Sequence, residues 1–527
     1  MRVVLAISMV VGLLALAALF LKIQLDKKLG QSLSDTIHQR LTQPITHLFN
    51  SQFWIIIAFI VSVEGFLLTY FSFPVPTRPL TVWLSLICLF TWLFLRLVYA
   101  DQYKQKQSLA SRLKSGWQKW SEIQRKVFII LVVMGLVYFI AFFPINYGGR
   151  VHPDEDIIYP DVVNMLISGE TFTETLRDSF IIDSWWYGYP YFPISALTLV
   201  IPRLIYGIAF AEKLFLNLLL LRQFVSVLPM VVAIIWLIYL INAFKSVWES
   251  IGMFIVFALI PGVVSYNTRF WHPDSIIVLL IILTYWFLKR DQLRFGRDFY
   301  LAAAAIGLNA AIKVWGLFFF LAIGGYLLAG WIGKKLTFWK MVRAGIFFIL
   351  IMVGTILITS PSILIPWNLK TYIAEMQEYY PIMRYGYDEP DPQGVYRTGL
   401  PAWMVFFRIH YMQDFFFYFS VFAVLIGSLL GTSRYLNRLI LAWCAVIGVY
   451  LVGWIAVKSF QYMLPLMIPL YAGAFLFPHI AGENQTPPML GFLANPKTKR
   501  ILKAILIVLV LIQFIFNLKM ISTSLKF

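Results

Sequence analysis

The sequence predicts an all-α protein that crosses a membrane many times, and its composition is the first reason. Hydrophobic residues fill 60% of the 527 positions, whereas charged residues fill 13%. A soluble domain carries about 25% charged residues, which it needs to cover its surface with polar groups. The two cysteines, Cys88 and Cys444, both lie inside apolar runs, and this placement argues against a disulfide or a cysteine metal site.

Long apolar runs are the second reason, because about 20 apolar residues in a helix span the ~30 Å hydrocarbon core of a bilayer. The chain contains about fourteen such runs, some of them slightly short, and each predicts one crossing. They lie near residues 3–21, 53–73, 80–99, 127–145, 219–243, 251–267, 275–289, 299–312, 315–331, 343–360, 413–431, 438–457, 463–478 and 501–518. The first run has only Met1 and Arg2 before it and no small-residue cleavage site, so we interpret it as a retained span and not as a signal peptide.

The positions of the basic residues predict the orientation of the chain. With the crossings counted in order, the segments richest in Lys and Arg all fall on one side of the membrane, which the positive-inside rule identifies as the cytoplasm. These segments are 100–126, 289–297, 334–343, 434–438 and 497–500. The formal net charge of +18 therefore reflects membrane topology, and we expect no nucleic-acid partner.

One further apolar stretch, 190–210, is long enough to cross, but a full crossing would move every later basic segment to the outside. The stretch also contains three prolines and Arg203, which break or burden a spanning helix. We interpret it as a re-entrant or interfacial segment at the outer face. The competing layout is a full crossing here, combined with the failure of another short span.

The same topology places two long segments, 146–218 and 361–412, on the outer side, where loops held by a rigid bundle commonly carry function. Two His-Pro-Asp tripeptides lie on this side: residues 152–156 read HPDED, and 272–274 repeat HPD. Each alone is explained as a helix start, with proline in the first turn and acids that interact favourably with the helix dipole. Two copies on one face of the membrane favour a shared site.

Cations flank the same outer turns. Arg269 precedes the second tripeptide, and Lys313 and Lys458 lie in turns between apolar runs. A lysine in such a turn is explained equally well by a side chain that extends to the membrane interface and by a cation that serves the site. Both interpretations stand at this point.

Short segments with recognisable residues occur along the outer face in a fixed order. They are HPDE at 152–155, WYGYPYFP at 186–193, RQFVS at 222–226, SYNTR at 265–269 followed by Asp274, GLNAAIK at 307–313, and QYMLP at 461–465. This order resembles the GT-C superfamily of polytopic glycosyltransferases, and most closely its branch of protein O-mannosyltransferases and aminoarabinose transferases. The resemblance implies a GT-C-type bundle of transmembrane helices with outer-face loops and interfacial helices.

Two departures from the family's pattern affect the predicted domains. Gln461 stands where the family has arginine, which puts a phosphate contact there in doubt. The acidic motif follows the fourth predicted span, whereas in the family it follows the first. We therefore predict 1–126 as an additional three-helix membrane module, 127–478 as the catalytic membrane domain, and 479–527 as a cytoplasmic loop with the last transmembrane helix.

The resemblance implies an inverting glycosyltransferase that moves a hexose or pentose from a polyprenyl-phosphate donor to an acceptor hydroxyl. The acceptor would be a glycan, a lipid or a protein, and the site would face the outer or periplasmic side of the cell (inner) membrane, in contact with membrane lipids. Phosphate leaves well without protonation, so such a site needs no general acid. It needs a base for the acceptor hydroxyl and cations for the charge left on the phosphate.

The resemblance and this chemistry together suggest a role for each candidate residue. Asp154 is the first choice for the base, with Glu155 or Asp156 second. The candidates for binding the donor phosphate are Arg269, Lys313 and, less directly, Lys458. The candidates for orienting these groups or the acceptor are His152, His272, Asp274 and Tyr462. Asp154 or Glu155 together with His272 could hold a divalent metal, but nothing in their spacing requires a metal or another cofactor.

The second outer segment is a candidate lid. Residues 372–411 are rich in tyrosine and include the turn-forming stretch 388–394. In a lid, tyrosines would stack on the sugar, an arginine would meet the phosphate, and closure would exclude water. The candidates are Arg384, Tyr385, Tyr387 and Arg397. The alternative is a connector whose aromatic side chains rest at the membrane interface.

Two other classes of function compete with a transferase. A secondary transporter or lipid flippase would have inverted internal repeats and broken helices, with charges near the membrane midplane. The sequence has no visible repeat of this kind, and its charges gather at one face. A non-catalytic scaffold subunit is the third interpretation.

Overall fold

The structure is a computed structural model, and its described residues are 117–147, 150–167, 171, 174, 182, 187–364, 366–386, 396–410, 415–429, 434–476 and 495–524. The three spans of the predicted N-terminal module, most of the predicted cytoplasmic loop after residue 478, and the lid candidate Tyr387 lie outside them. The division into three domains therefore stays a prediction. Nearly all described residues belong to one compact unit, Trp120–Ile167 with Arg177–Phe527.

Helices form the regular structure of the described residues, which contain no β-strand. In chain order the α-helices are α1 Glu122–Ala141, α2 Phe143–Asn146, α3 Pro153–Asn164, α4 Tyr191–Tyr206, α5 Leu214–Leu221, α6 Leu228–Asn242, α7 Val247–Ala258, α8 Asp274–Asp291, α9 Arg297–Ile312, α10 Phe318–Ile332, α11 Phe338–Thr359, α12 Pro366–Tyr385, α13 Leu400–His410, α14 Phe415–Leu429, α15 Arg434–Trp454, α16 Phe460–Leu476 and α17 Pro496–Ser524. Short π-helices cover Arg222–Val227 and Val263–Asn267, and 3-10 turns cover Gly207–Glu212, Val314–Leu317 and Pro361–Leu364.

The helices confirm that the chain is an all-α membrane protein. Within the described residues, six helical stretches are long and apolar enough to cross a membrane: Glu122–Asn146, Tyr191–Glu212, Leu214–Asn242, Phe338–Thr359, Tyr435–Trp454 and Pro496–Met520. On α1, more than half of the surface is exposed at each of Ile129, Val133, Leu136, Val137 and Ile140. A continuous apolar stripe of this kind is unfavourable in water and favourable in hydrocarbon, so it marks the lipid-facing side of α1.

The structure differs from the prediction in one span and in the two outer segments. The predicted span 251–267 is interrupted, because α7 ends at Ala258 and a π-helix follows at Val263–Asn267. Pro261 explains the break, since it lacks a backbone N–H and its ring clashes with the preceding turn. The two predicted outer loops also contain helices among their described residues: α3 and α4 lie in one, and α12 and α13 lie in the other.

Contacts between helix ends place predicted basic segments together at one end of the bundle. Hydrogen bonds to main-chain carbonyls join the start of α1 to the end of α6, the end of α8 to the end of α6, and the start of α15 to the end of α8. Their donors and acceptors are Gln124 and Ala243, Lys289 and Leu240, and Tyr435 and Leu288. The basic segments 289–297 and 434–438 therefore lie at the end where α1 begins.

The opposite end of the bundle brings the predicted outer segments together. Asn146, at the end of α2, donates a hydrogen bond over 2.8 Å to the carbonyl of Thr268. Arg222, between α5 and α6, binds Glu155 in the first turn of α3. This separation of the two ends agrees with the predicted sidedness, while the side of the membrane that each end faces stays a prediction.

The stretch 190–210 forms α4, which packs against α3 and α5. Its later part is tied to the segment after α3, since Arg203 donates a hydrogen bond over 2.9 Å to the carbonyl of Leu166. Tyr159 of α3 donates to the carbonyl of Ala211, just after α4. Length and composition would let this helix cross a membrane, so the interfacial interpretation stays a prediction.

The predicted orientation is tested by cysteine labelling in a chain with Cys88 and Cys444 replaced by serine. Thr398→Cys lies at an exposed position of the second outer segment, and Lys335→Cys lies in an exposed basic turn. A membrane-impermeant thiol reagent should label position 398 in intact cells and position 335 only after permeabilisation. Labelling of position 335 from outside would reverse the layout.

Candidate active site

Both His-Pro-Asp tripeptides begin a helix. In the first, Nδ1 of His152 accepts a hydrogen bond over 3.2 Å from the N–H of Asp154, while the His152 N–H donates over 2.9 Å to Glu155. This reciprocal cap satisfies N–H groups that the start of α3 would leave unpaired, and the helix dipole favours the acids of its first turn. The second tripeptide ends at Asp274, the first residue of α8.

A buried ion pair joins the first tripeptide to the helices behind it. Glu155 is completely buried, and its two carboxylate oxygens accept hydrogen bonds from Nε and Nη2 of Arg222 over 2.8 and 2.5 Å. Other guanidinium N–H groups donate to the carbonyls of Asn146 and Arg150, each over 3.0 Å. Planar two-point pairing is the strong form of the interaction between arginine and a carboxylate.

The same ion pair positions the second tripeptide. The Glu155 carboxylate also accepts a hydrogen bond over 2.6 Å from the N–H of Trp271. Ser226, one turn after Arg222, accepts a hydrogen bond over 3.0 Å from the N–H of His272. Arg222 and Ser226 both lie in the π-helix between α5 and α6, and π-helical bulges often occur at functional sites. This bulge therefore holds both tripeptides.

Beside the ion pair, Asp154, Tyr187, His272, Asp274 and Lys313 form a network that we call the acid–histidine–lysine network. The Tyr187 hydroxyl lies 3.1 Å from Oδ2 of Asp154 and 2.5 Å from Nε2 of His272. Nε2 itself lies 3.4 Å from the same carboxylate oxygen, and Nδ1 of His272 contacts Oδ2 of Asp274. Lys313 completes the network, since its Nζ lies 3.1 and 3.3 Å from the two oxygens of Asp274.

Exposure divides the network into accessible and buried groups. The side chains of Asp154 and Lys313 keep 22% and 12% of their surfaces exposed. Tyr187, His272 and Asp274, which connect them, are buried. A ligand can therefore reach a carboxylate at one end of the network and an ammonium group at the other end, but not the groups in between.

Close main-chain packing holds Tyr187 between the two accessible groups. The N–H of Gly188 donates a hydrogen bond over 2.8 Å to the carbonyl of Ile312, immediately before Lys313. A Cβ atom at Gly188 would lie 1.6 Å from the carbonyl oxygen of Ala311, so only glycine allows this approach. The Tyr187 ring consequently lies 5.5 Å from Nζ of Lys313, within range of a cation–π interaction.

The surroundings of the network favour an ionised Asp154. Burial alone would raise the pKa of its carboxyl group, but His272, His152 and the Tyr187 hydroxyl together lower that pKa below its ordinary value. For His272, burial lowers the pKa, but Asp274 and Asp154 outweigh burial and raise the pKa above its ordinary value. Burial and the Asp154 carboxylate raise the pKa of Tyr187, so its phenol keeps its proton at neutral pH.

Aromatic side chains flank both Lys313 and His272. The ring of Tyr462, in the first turn of α16, lies 5.4 Å from Nζ of Lys313, and its hydroxyl lies 3.2 Å from that of Tyr379 on α12. The ring of Tyr266 lies 5.3 Å from that of His272, measured between centroids. The predicted site residue Tyr462 is thus a neighbour of the network, and α12 reaches this neighbourhood through Tyr379.

The other two predicted phosphate-binding cations have different surroundings. The guanidinium group of Arg269 lies 5.8 Å from the ring of Phe270, which packs against the ring of His152. Lys458 donates a hydrogen bond over 2.6 Å to the carbonyl of Arg397. Arg269 therefore flanks the first tripeptide, whereas Lys458 binds the main chain of the second outer segment.

Three of the four lid candidates, Arg384, Tyr385 and Arg397, flank residues 387–395 in the middle of this second outer segment. Arg384, near the end of α12, donates a hydrogen bond over 2.9 Å to the carbonyl of Gly453 near the end of α15. Tyr385 and Arg397 are exposed. Residues 387–395, including Tyr387, lie outside the described residues, and a lid formed by this segment stays a prediction.

The side chains suggested as metal ligands do not fit a metal ion in their observed arrangement. Among the described residues, no group of three or more His, Cys, Asp and Glu side chains could hold a metal. Both oxygens of Glu155 bind Arg222, and the two ring nitrogens of His272 face Tyr187 and Asp274.

Arg222, Tyr187 and Ser226 belong to the site, although none was predicted as a site residue. They lie in the segments 186–193 and 222–226, which carry part of the family resemblance. Sequence spacing gives no sign of their contacts, because Tyr187 meets partners 33 and 85 positions away and Arg222 meets one 67 positions away. Only the family's motif order could have pointed to them.

Comparison with known proteins finds no protein-family model and no curated protein that matches this sequence. Among solved structures, the crystal structure of ArnT from Cupriavidus metallidurans in the apo state is similar to this chain, with a TM-score of 0.45 and 12% sequence identity. The similarity covers 78% of this chain and 77% of that one. At this level of similarity, no residue's role is transferred from that protein to this chain.

We predict that breaking the Glu155–Arg222 pair destabilises the fold. Glu155→Gln leaves Arg222 as a buried charge without its partner, and such a loss costs about 3–5 kcal/mol. The unfolding temperature of the purified variant in detergent should therefore fall clearly below that of the wild type. Asp156→Asn is the matched control, because it makes the same change at the neighbouring, exposed acid. Equal unfolding temperatures for the two variants would contradict the structural role of Glu155.

Proposed function

We propose that this chain is an inverting glycosyltransferase that uses a polyprenyl-phosphate sugar at the outer face of a cell membrane, with Asp154 as the base. The observation that carries the proposal is that an aspartate side chain and a lysine side chain, each partly exposed, lie at the two ends of one buried network. Transfer from a sugar phosphate needs these two groups: a base for the acceptor hydroxyl and a cation for the departing phosphate.

The surroundings of the two neighbouring acids favour Asp154 over Glu155 as the base. Both oxygens of Glu155 accept hydrogen bonds from Arg222, and further ones come from the main chain. Glu155 is also completely buried, so an acceptor hydroxyl cannot reach it. Asp154 is accessible, and its lowered pKa keeps it ionised at neutral pH. Asp154 thus meets both requirements of a general base.

Lys313 is the cation that best fits the donor phosphate. Its ammonium group carries three donors, so it can hold Asp274 and still meet an anion as a point charge. Tyr187 links it to the base, since its hydroxyl is bonded to Asp154 and its ring lies 5.5 Å from Nζ of Lys313. We propose that the sugar lies across this distance, with its phosphate at Lys313 and the acceptor hydroxyl at Asp154.

Three predicted orienting residues take positions that suit this arrangement. His272 and Asp274 connect the base to Lys313, and Tyr462 flanks Lys313 on the side of α12. Arg269 is a second candidate for the phosphate, beside the first tripeptide. We also propose that Lys458 binds the donor phosphate and that the second outer segment acts as a lid. The sugar would be a hexose or a pentose, and the acceptor would be a glycan, a lipid or a protein.

The location of the charges supports chemistry at a membrane surface over transport. A secondary transporter places its substrate site near the membrane midplane, at broken helices. In the described residues, the acid–histidine–lysine network lies at helix starts and ends: the first turns of α3 and α8 and the residue after α9. The network lies at the end of the bundle opposite the basic segments 289–297 and 434–438. We propose that a lipid-linked donor in the outer leaflet reaches the network at this end.

Asp154→Asn tests the base. The amide keeps the shape of the side chain but cannot take a proton, so sugar transfer should fall by about 10²–10⁴-fold. The assay incubates the purified protein with a panel of radiolabelled polyprenyl-phosphate sugars and measures transfer or hydrolysis. The unfolding temperature should fall much less in this variant than in Glu155→Gln, because Asp154 is partly exposed.

Asp156→Asn is the matched control for the base, since Asp156 was also a candidate and is exposed on the same turn. It should keep wild-type activity. Activity lost in Asp156→Asn and kept in Asp154→Asn would transfer the role to Asp156. A wild-type protein that acts on none of the donors would end the transferase proposal.

Lys313→Gln tests the phosphate cation. Removing a charge that stabilises the departing phosphate should lower kcat/KM for the donor by about 10²-fold, and Lys313→Arg should restore part of it. Lys370→Gln is the charge-matched control, because Lys370 is exposed on α12 in the second outer segment. Equal kcat/KM for Lys313→Gln and Lys370→Gln would remove Lys313 from the site.

A further inference from the structure

Tyr187 lies between two groups that compete for its single proton. Its hydroxyl oxygen is 3.1 Å from Oδ2 of Asp154 and 2.5 Å from Nε2 of His272. A hydroxyl donates one hydrogen bond and accepts up to two. Tyr187 therefore donates its proton either to Asp154 or to His272. The other of these two groups can form a hydrogen bond with the Tyr187 oxygen only when it is itself protonated.

Asp274 decides which nitrogen of His272 can take part. It is buried, and its Oδ2 contacts Nδ1 of His272 while Lys313 holds the carboxylate in its ionised form. An ionised carboxylate only accepts hydrogen bonds, so Nδ1 carries a proton. Nε2 is then the nitrogen that gains or loses a proton, and it is the nitrogen that faces Tyr187.

We propose that Tyr187 is a proton-relay residue, which passes the proton that Asp154 takes from the acceptor on to His272. This inference rests on the proposed function, because it requires Asp154 to be the base. It adds two participants to the reaction: Tyr187, which touches the base directly, and His272, which stores the proton. Asp274 is a positioning residue that keeps His272 in the correct tautomer.

The acceptor oxygen forms its bond to the anomeric carbon of the sugar, the bond from that carbon to the phosphate oxygen breaks, and its electron pair leaves on the phosphate. The acceptor proton moves to Asp154. A proton then passes from Oδ2 of Asp154 to the Tyr187 oxygen while the Tyr187 proton passes to Nε2 of His272. The protein gains one positive charge as the departing phosphate gains one negative charge near Lys313.

The direction of the relay follows from the surroundings of its two ends. The pKa of Asp154 is lowered and that of His272 is raised relative to their ordinary values, so a proton is held better by the imidazole than by the carboxyl group. The titratable groups around His272 are Asp154, Tyr187, Tyr266, Asp274, Lys313 and His152. Lys313 and His152 oppose a positive imidazole, whereas the two aspartates favour it and prevail.

The relay predicts a particular pH dependence of sugar transfer. His272 must be neutral before each turnover in order to receive a proton. Because its pKa is raised above the ordinary value of about 6.5, the ready fraction grows as the pH rises through that raised pKa. The transfer rate of the wild type should therefore increase as the pH rises through the pKa of His272, and it should decrease when the pH is lowered and His272 becomes protonated.

Tyr187→Phe is the decisive variant, with Tyr191→Phe as its control. Phenylalanine keeps the ring and removes only the hydroxyl. Tyr191 is buried 5.4 Å from Tyr187, between ring centroids, and its hydroxyl has no hydrogen-bond partner among the described residues. With the donor panel above, Tyr187→Phe should lower kcat by about 10–10²-fold and lose the rise of kcat through the pKa of His272. Tyr191→Phe should keep both the rate and the pH profile.

A double variant separates a relay from a purely structural role. Members of one relay act as a unit, so Tyr187→Phe combined with His272→Gln should transfer no more slowly than the slower single variant. Additive losses, or a Tyr187→Phe protein that is slower but keeps the wild-type pH profile, would overturn the relay. Should His272→Gln fail to fold, the pH profile of Tyr187→Phe decides alone. A wild type inactive with every donor overturns the proposed function itself, and the relay with it.

Discussion

The buried pair of Glu155 and Arg222 is the interaction on which the arrangement of the site depends. The carboxylate binds the guanidinium group at two points and also receives N–H groups from both His-Pro-Asp segments, while the guanidinium group reaches carbonyls before α3. Two charges taken out of water are tolerated only when nearly every polar atom is paired, and here they are. Because so many contacts share one ion pair, α3, the π-helix and the start of α8 hold a fixed relation to one another.

Asp154 and Glu155 are adjacent in the chain but have opposite surroundings. Successive residues of a helix point about 100° apart, so one acid of the first turn faces the bundle and the next faces its surface. Glu155 is buried and serves to hold the fold, whereas Asp154 is partly exposed and lies beside His272 and Tyr187. A rigid buried acid thus positions an accessible one. Preorganisation of this kind is what a site needs to stabilise charge that develops during a reaction.

The membrane determines where such a network can exist. Charged groups are costly in hydrocarbon, so they gather at helix ends, where water and lipid headgroups can solvate them. The basic segments 289–297 and 434–438 lie at one end of the bundle, and Asp154, Asp274 and Lys313 lie at the other. The buried members of the network contact one another, and within the network only the side chains of Asp154 and Lys313 are partly exposed.

The sequence by itself determined the membrane character and the all-α class, because composition and the length of apolar runs are local properties that decide which segments are stable in a bilayer. The two His-Pro-Asp tripeptides on one predicted face also indicated a shared site. Charges beside apolar runs, together with the family resemblance, made Asp154, His272, Asp274 and Lys313 candidate site residues, and the structure brings these four into one network. Their roles stay a prediction. Only the tertiary structure decided that Glu155 is paired with Arg222 and that Tyr187 joins Asp154 to His272. These contacts link residues 33 to 85 positions apart, and they depend on a π-helical bulge and on the close approach at Gly188. Local sequence pattern predicts neither a π-helical bulge nor the packing partner of a glycine. Only the packing of the helices therefore shows that Glu155 is buried in an ion pair while Asp154 stays accessible.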